Sequence, residues 1–120
     1  MPAGQLTTHV LDTAHGCPAA KLKLELWFLK SEVEHALLKS VTTNADGRTD
    51  GAILSGADFR VGRYRLVFYV GDYFAGRGLT LPEPNFLDQV PIQFGIADLA
   101  THYHVPLLVS PWAYSTYRGS

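Results

Sequence analysis

The sequence predicts an all-β fold, a two-sheet antiparallel sandwich of about eight strands with one short helix. Three observations carry this. Apolar and polar residues alternate with a period of two in short runs, the runs are rich in β-branched and aromatic residues, and Gly, Pro, Asn or Asp closes them. In order, the strands fall at residues 6–11, 23–30, 36–43, 52–55, 62–70, 90–97, 104–109 and 114–118. The turn after the first strand carries Gly16 and Pro18, and Asn44-Ala45-Asp46-Gly47 follows the third. Ser110-Pro111 divides the last two, which should form a tight antiparallel hairpin. Residues 72–78 suit one helical turn, with Asp72 as cap and Gly76 or Gly78 as terminator. Pro82, Pro84 and Asn85 make residues 79–89 a loop. The sheet edges are then available for pairing between subunits.

Size and composition narrow the function. A chain of 120 residues, 47% hydrophobic and 18% charged, suits one domain spanning 1–120 with its own core. Lys and Arg number 10 against 11 Asp and Glu, a net charge of -1 that lacks the basic footprint of a nucleic-acid binder. The single Cys17 cannot form an intrachain disulfide. The opening residues show no basic segment followed by an apolar run, which points to the cytoplasm. Apolar stretches such as LKLELWFL and YRLVFYV are broken by charge and too short for a membrane span. A small-molecule partner is the expectation.

Histidines are the first candidates for chemistry. On the first strand Thr7, His9 and Leu11 share one face and Thr8, Val10 and Asp12 the other, so His9 leaves the core if Val10 enters it. By the same parity His104 goes with Pro106 and Leu108, opposite Val105 and Leu107. Two imidazoles facing away from a core suit proton transfer near neutral pH. The plainer reading is that the five histidines are ordinary surface or core residues. A metal reading would join His102 and His104 with His9 or Cys17, but neither CxxC nor HExxH occurs, and the metal-free alternative is preferred. Cys17 sits beside Pro18 in an apparent turn, and no GxSxG elbow accompanies it, so it reads as structural. Arg48 is a permanent cation beside a turn, suited to an oxyanion or a carbonyl-bearing ring, or simply paired with Asp46 or Asp50. Tyr117, Arg118, Gly119 and Ser120 close the sequence, where termini ordinarily fray.

In order, these segments resemble the transthyretin-like 5-hydroxyisourate hydrolases: LTTHVLD at residues 6–12 with Gly16 and Pro18-Ala19, GRTDG at 47–51, HYHVPLLVSP at 102–111, and YRGS at 117–120. Any one block is weak, but the four together span nearly the whole chain. The resemblance implies the transthyretin (prealbumin-like) sandwich and a homotetramer, a dimer of dimers, with sites at the dimer–dimer interface. It implies catalytic roles for His9, Arg48, His104 and Ser120, and substrate contacts from His9, Arg48, Tyr117, Arg118, Gly119 and Ser120. The implied reaction opens the six-membered ring of 5-hydroxyisourate in urate degradation, with no cofactor and no metal. His104 is favoured as the group activating water, and His9 as the group that orients substrate or returns a proton. His102 would support the site, and His15 and His35 would be structural or surface residues.

Two other classes compete. Transthyretins that carry thyroid hormone share the sandwich, but a carrier needs an open apolar channel, whereas His9, Arg48, His104 and Tyr117 should make this one polar and shallow. A purely structural β-sandwich would leave the histidines, the arginine and the YRGS segment without a purpose.

Overall fold

The computed structural model describes residues 4–119. In chain order its strands are β1 (Gln5–Thr7), β2 (Val10–Asp12), β3 (Cys17–Pro18), β4 (Lys23–Leu29), β5 (His35–Thr42), β6 (Leu54–Ser55), β7 (Gly62–Phe68), β8 (Val90–Ile96), β9 (Tyr103–His104), β10 (Leu107–Val109) and β11 (Tyr114–Ser115). Among the described residues one α-helix, α1 (Val70–Ala75), lies between β7 and β8, and a 3-10 turn at Gly56–Asp58 follows β6. No helix among the described residues is long and apolar enough to cross a membrane.

One layer is wholly antiparallel, in the order β5-β4-β7-β8. The other is mixed: β6-β1-β9 continues into β11-β10-β2-β3, and β1/β9 and β2/β10 pair in parallel. Amide bonds from Val105 to the Thr7 carbonyl and from Leu107 to the His9 carbonyl, both 2.9 Å, carry the pairing across the gaps. Pro106 has no N–H to give the last strand. Pairing there lapses between Leu108/Ser115 and an isolated His104/Gly119 bridge, but the register is the same on both sides. The alternation seen over 104–109 and 114–118 is therefore real, although interrupted. The final hairpin is antiparallel, closed by a 2.8 Å bond from the Ser110 amide to the Ala113 carbonyl.

The two layers bury their facing side chains against each other. Leu24, Leu26, Leu66 and Phe68 meet Leu6, Val10, Leu107 and Val109 in one core. Full burial of each such aliphatic or aromatic chain is worth about 1.5–3 kcal/mol. Helix α1 adds Val70, Tyr73 and Phe74 to this core at helical spacing. Two local expectations are corrected. Asp72 makes no side-chain cap and lies inside the first turn, because burial of Val70 starts the helix two residues earlier; Gly76 does end it. Cys17 is not in a turn but in β3, opposite Asp12.

Asp12 anchors this end of the molecule. Its side chain is fully buried, accepts 2.6 Å from His15 Nδ1 and 2.7 Å from the Tyr73 hydroxyl, and takes the Ala14 and His15 amides at 3.0 and 2.9 Å. Burial alone would raise its pKa, but these donors outweigh burial and hold it below the usual 3.8. A depressed carboxylate contributes stability that is present above its unfolded pKa and lost as pH falls through the folded one. Asp12→Ala strands these donors and is expected to cost about 3 kcal/mol at neutral pH. Urea midpoints of the two proteins should converge as pH drops below 3.8.

Candidate active site

The face of the mixed layer turned away from the core collects the chemistry-bearing residues. Thr8, Val10 and Asp12 are buried, while Thr7, His9 and Leu11 are only partly covered. Parallel pairing sets Thr7 beside His104 and Leu11 beside Leu108. The antiparallel register sets Gly119 beside His104 and Ser115 beside Leu108, which brings Tyr117 opposite Pro106 on the same face. Thr7, His9, His104, Tyr117 and Gly119 thus line one surface, as alternation requires.

His9 occupies the gap between β1 and β2, and its Nε2 lies 2.9 Å from the Asp46 carbonyl. A carbonyl only accepts, so Nε2 carries the proton and Nδ1 of the neutral ring keeps its lone pair. Asp46 belongs to a turn in which Asn44 Oδ1 takes the amides of Asp46 and Arg48 at 2.9 and 3.1 Å, and the Asn44 amide meets the Arg48 carbonyl at 2.7 Å. Gly47 docks this turn on β2. Its φ is +75°, and a Cβ there would sit 2.4 Å from the Val10 carbonyl oxygen, so only glycine fits. The turn therefore holds His9 and presents Arg48 from one rigid piece. Among the described residues the Arg48 guanidinium forms no ion pair, and Asp50 Oδ1 instead accepts from the side-chain Nδ2 of Asn44 at 3.0 Å.

His104 is half-buried. Its Nδ1 lies 2.8 Å from Thr7 Oγ1, and the same oxygen is 2.8 Å from His102 Nε2. Burial pushes its pKa below the usual 6.5, and the neighbouring Arg48, His102 and His9 push the same way. His104 is thus uncharged at neutral pH and fit to take a proton. Gly119 lies flat against this ring: a Cβ there would come within 2.9 Å of His104 Cδ2. The two backbones exchange bonds, Gly119 amide to His104 carbonyl at 2.7 Å and His104 amide to Gly119 carbonyl at 3.3 Å.

The remaining candidates separate. Tyr117 is exposed on the site face. Arg118 points to the opposite face and stacks its guanidinium 4.3 Å over the Tyr103 ring, so the structure does not bring it to the histidines. Ser120 lies outside the described residues. His15 turns away to Asp12, and Cys17 stands at the far end of β2. Two participants escaped the sequence reading. Thr7 gains significance only from strand pairing, and Asp46 acts through a backbone carbonyl that no side-chain pattern reveals.

The model of the HIUase/Transthyretin family matches residues 6–119. A 5-hydroxyisourate hydrolase of Rhizobium meliloti is 58% identical over 118 residues, covering 98% of each chain. The structure of the Klebsiella pneumoniae 5-hydroxyisourate hydrolase superposes with a TM-score of 0.78 at 36% identity, covering 98% of this chain and 99% of that one. Sea bream transthyretin in complex with thyroxine gives 0.85 at 24% identity, over 96% and 94% of the chains, a likeness of fold alone.

Proposed function

The chain belongs to the HIUase/transthyretin family, and from that membership we propose that it hydrolyses 5-hydroxyisourate at the surface shared by His9, Arg48 and His104. The product is 2-oxo-4-hydroxy-4-carboxy-5-ureidoimidazoline. The observation that carries the site assignment is the half-buried His104 set among Arg48, His9 and His102, an environment that holds its pKa below the usual 6.5.

Water attacks the ring carbonyl carbon, and His104 Nε2 takes its proton as the new C–O bond forms. Arg48 stabilises the negative charge that develops on the carbonyl oxygen. The C–N bond then breaks, and the ring nitrogen receives the proton that His104 Nε2 took from water, which returns His104 to its neutral form, while His9, its Nε2–H fixed on the Asp46 carbonyl, orients the substrate by accepting at Nδ1. Tyr117, Gly119 and Ser120 position the substrate, while Arg118 serves by pinning this segment on Tyr103. No cofactor or metal enters the scheme, and each step needs only positioning, proton transfer and charge stabilisation.

The working form is a homotetramer, a dimer of dimers. Supporting this, β8 and β11 are sheet edges with pairing groups to offer, Trp112 and Tyr114 are exposed beside β11, and the site lies open in a single chain. The chain works in the cytoplasm, where the free thiol of Cys17 suits a reducing medium. A thyroid-hormone carrier is the weaker reading, since Arg48, His9 and His104 make the surface polar.

The test generates 5-hydroxyisourate in situ from urate with urate oxidase and follows its ultraviolet decay with and without the protein. Decay faster than the spontaneous reaction is expected. An intact oligomer that leaves the decay unchanged would defeat the assignment and turn attention to aromatic ligand binding.

A further inference from the structure

Thr7 Oγ1 stands between two imidazoles, 2.8 Å from His102 Nε2 and 2.8 Å from His104 Nδ1. A hydroxyl has one proton and two lone pairs, so it donates to at most one of these nitrogens and accepts from the other. The protonation patterns of the two rings are therefore linked through Thr7. We propose that Thr7 is a positioning residue that accepts from His104 Nδ1–H and donates to His102 Nε2, so that neutral His104 presents Nε2 as the base. This rests on the reading of His104 as the group that activates water.

Three arguments favour this direction. A free imidazole prefers its proton on Nε2, the nitrogen that must be bare if His104 is to accept from water, so a base at Nε2 needs an acceptor at Nδ1 to hold the other tautomer. Once Nε2 has taken its proton, the imidazolium carries N–H at both nitrogens, and a Thr7 oxygen that already accepts from Nδ1 needs no rearrangement. In the opposite direction Nε2 already carries the ring's proton and the bare nitrogen, Nδ1, is covered by the Thr7 hydroxyl, so neither is free to accept from water. Finally, among the described residues the charged or titratable groups facing His104 are His9 from the gap between β1 and β2, Arg48 from the turn after β5 and His102 from the approach to β9, while Gly119 brings no side chain. None of these is a carboxylate. A carboxylate on Nδ1 would select the same tautomer but raise the ring's proton affinity, whereas a hydroxyl selects it and leaves the ring neutral.

The experiment compares wild type, Thr7→Val, Thr7→Ser and His104→Asn, each checked for oligomer size. It measures kcat and KM for 5-hydroxyisourate, corrected for spontaneous decay, and the ring-nitrogen NMR shifts of His104 in histidine-labelled protein. In the wild type His104 should be the Nδ1–H tautomer. In Thr7→Val, which keeps the β-branched shape, it should revert to Nε2–H and kcat should fall about 10–100-fold with little change in KM. Thr7→Ser should restore both. An Nε2–H tautomer in the wild type overturns the proposal, and so does either change in Thr7→Val without the other. If Thr7→Val does not fold, the wild-type and Thr7→Ser tautomers decide. His104→Asn with wild-type activity would instead remove the base assignment itself, whereas an inactive His104→Asn beside an unaffected Thr7→Val removes only the role of Thr7.

Discussion

Replacing His104 with asparagine should lower kcat/KM for 5-hydroxyisourate by about 10²–10⁴-fold, the range a general base ordinarily contributes. Asparagine keeps a polar group of similar reach on β9 and leaves the Gly119 bridge intact, so oligomer size and thermal midpoint should change little. The pH dependence is signed by the environment of the ring. Burial, assisted by Arg48, His102 and His9, lowers the pKa of His104 from 6.5. A base is active when unprotonated, so the acid limb of the wild-type kcat/KM profile should lie below that value, and activity should be full at neutral pH. Stopped-flow decay across the acid range reads both effects. An asparagine variant with wild-type rates, or an acid limb above 6.5, would contradict the assignment.

Arg48→Gln should cost about 10²–10³-fold in kcat, the usual penalty for losing a donor aimed at a developing oxyanion. Arg48→Lys should recover only part, because an ammonium lacks the planar fork that matches paired ring oxygens. A second consequence separates Arg48 from a bystander. Its charge helps hold the His104 pKa down, so removing it should move the acid limb upward. A rate loss with an unmoved limb would mean that the guanidinium acts on substrate but not on the base.

Much of this site was legible in the order of residues, for a physical reason. Strand parity is local: once Val10 and Val105 are assigned to the core, His9 and His104 must face away from it, and the burial of 6–12 follows that rule. Pairing is not local. Nothing in Leu6-Thr7-Thr8 announces that Thr7 will lie beside His104, because the contact depends on which strands become neighbours and in which direction. The parallel pairs are hidden for the same reason, since hairpin signals report only antiparallel neighbours. The YRGS resemblance groups Arg118 with Tyr117 and Gly119, yet alternation turns its side chain to Tyr103. In sequence Arg48 is a turn cation with two acidic neighbours, and only the turn's own hydrogen bonds show Asp50 engaged by the Asn44 side chain.

The parallel pairing of β1 with β9 also bears on how the protein is made. During synthesis Thr7 emerges long before His104, which lies 97 positions further along, and the segment between them must fold or wait before the two strands meet. The β4–β5 hairpin can close as it leaves the ribosome and β7 can then add to β4, but the first strand must be kept from other edges until β9 and β10 arrive. Catalytic competence is then the last property a nascent chain acquires, and turnover in a refolding experiment should lag behind the recovery of sheet structure.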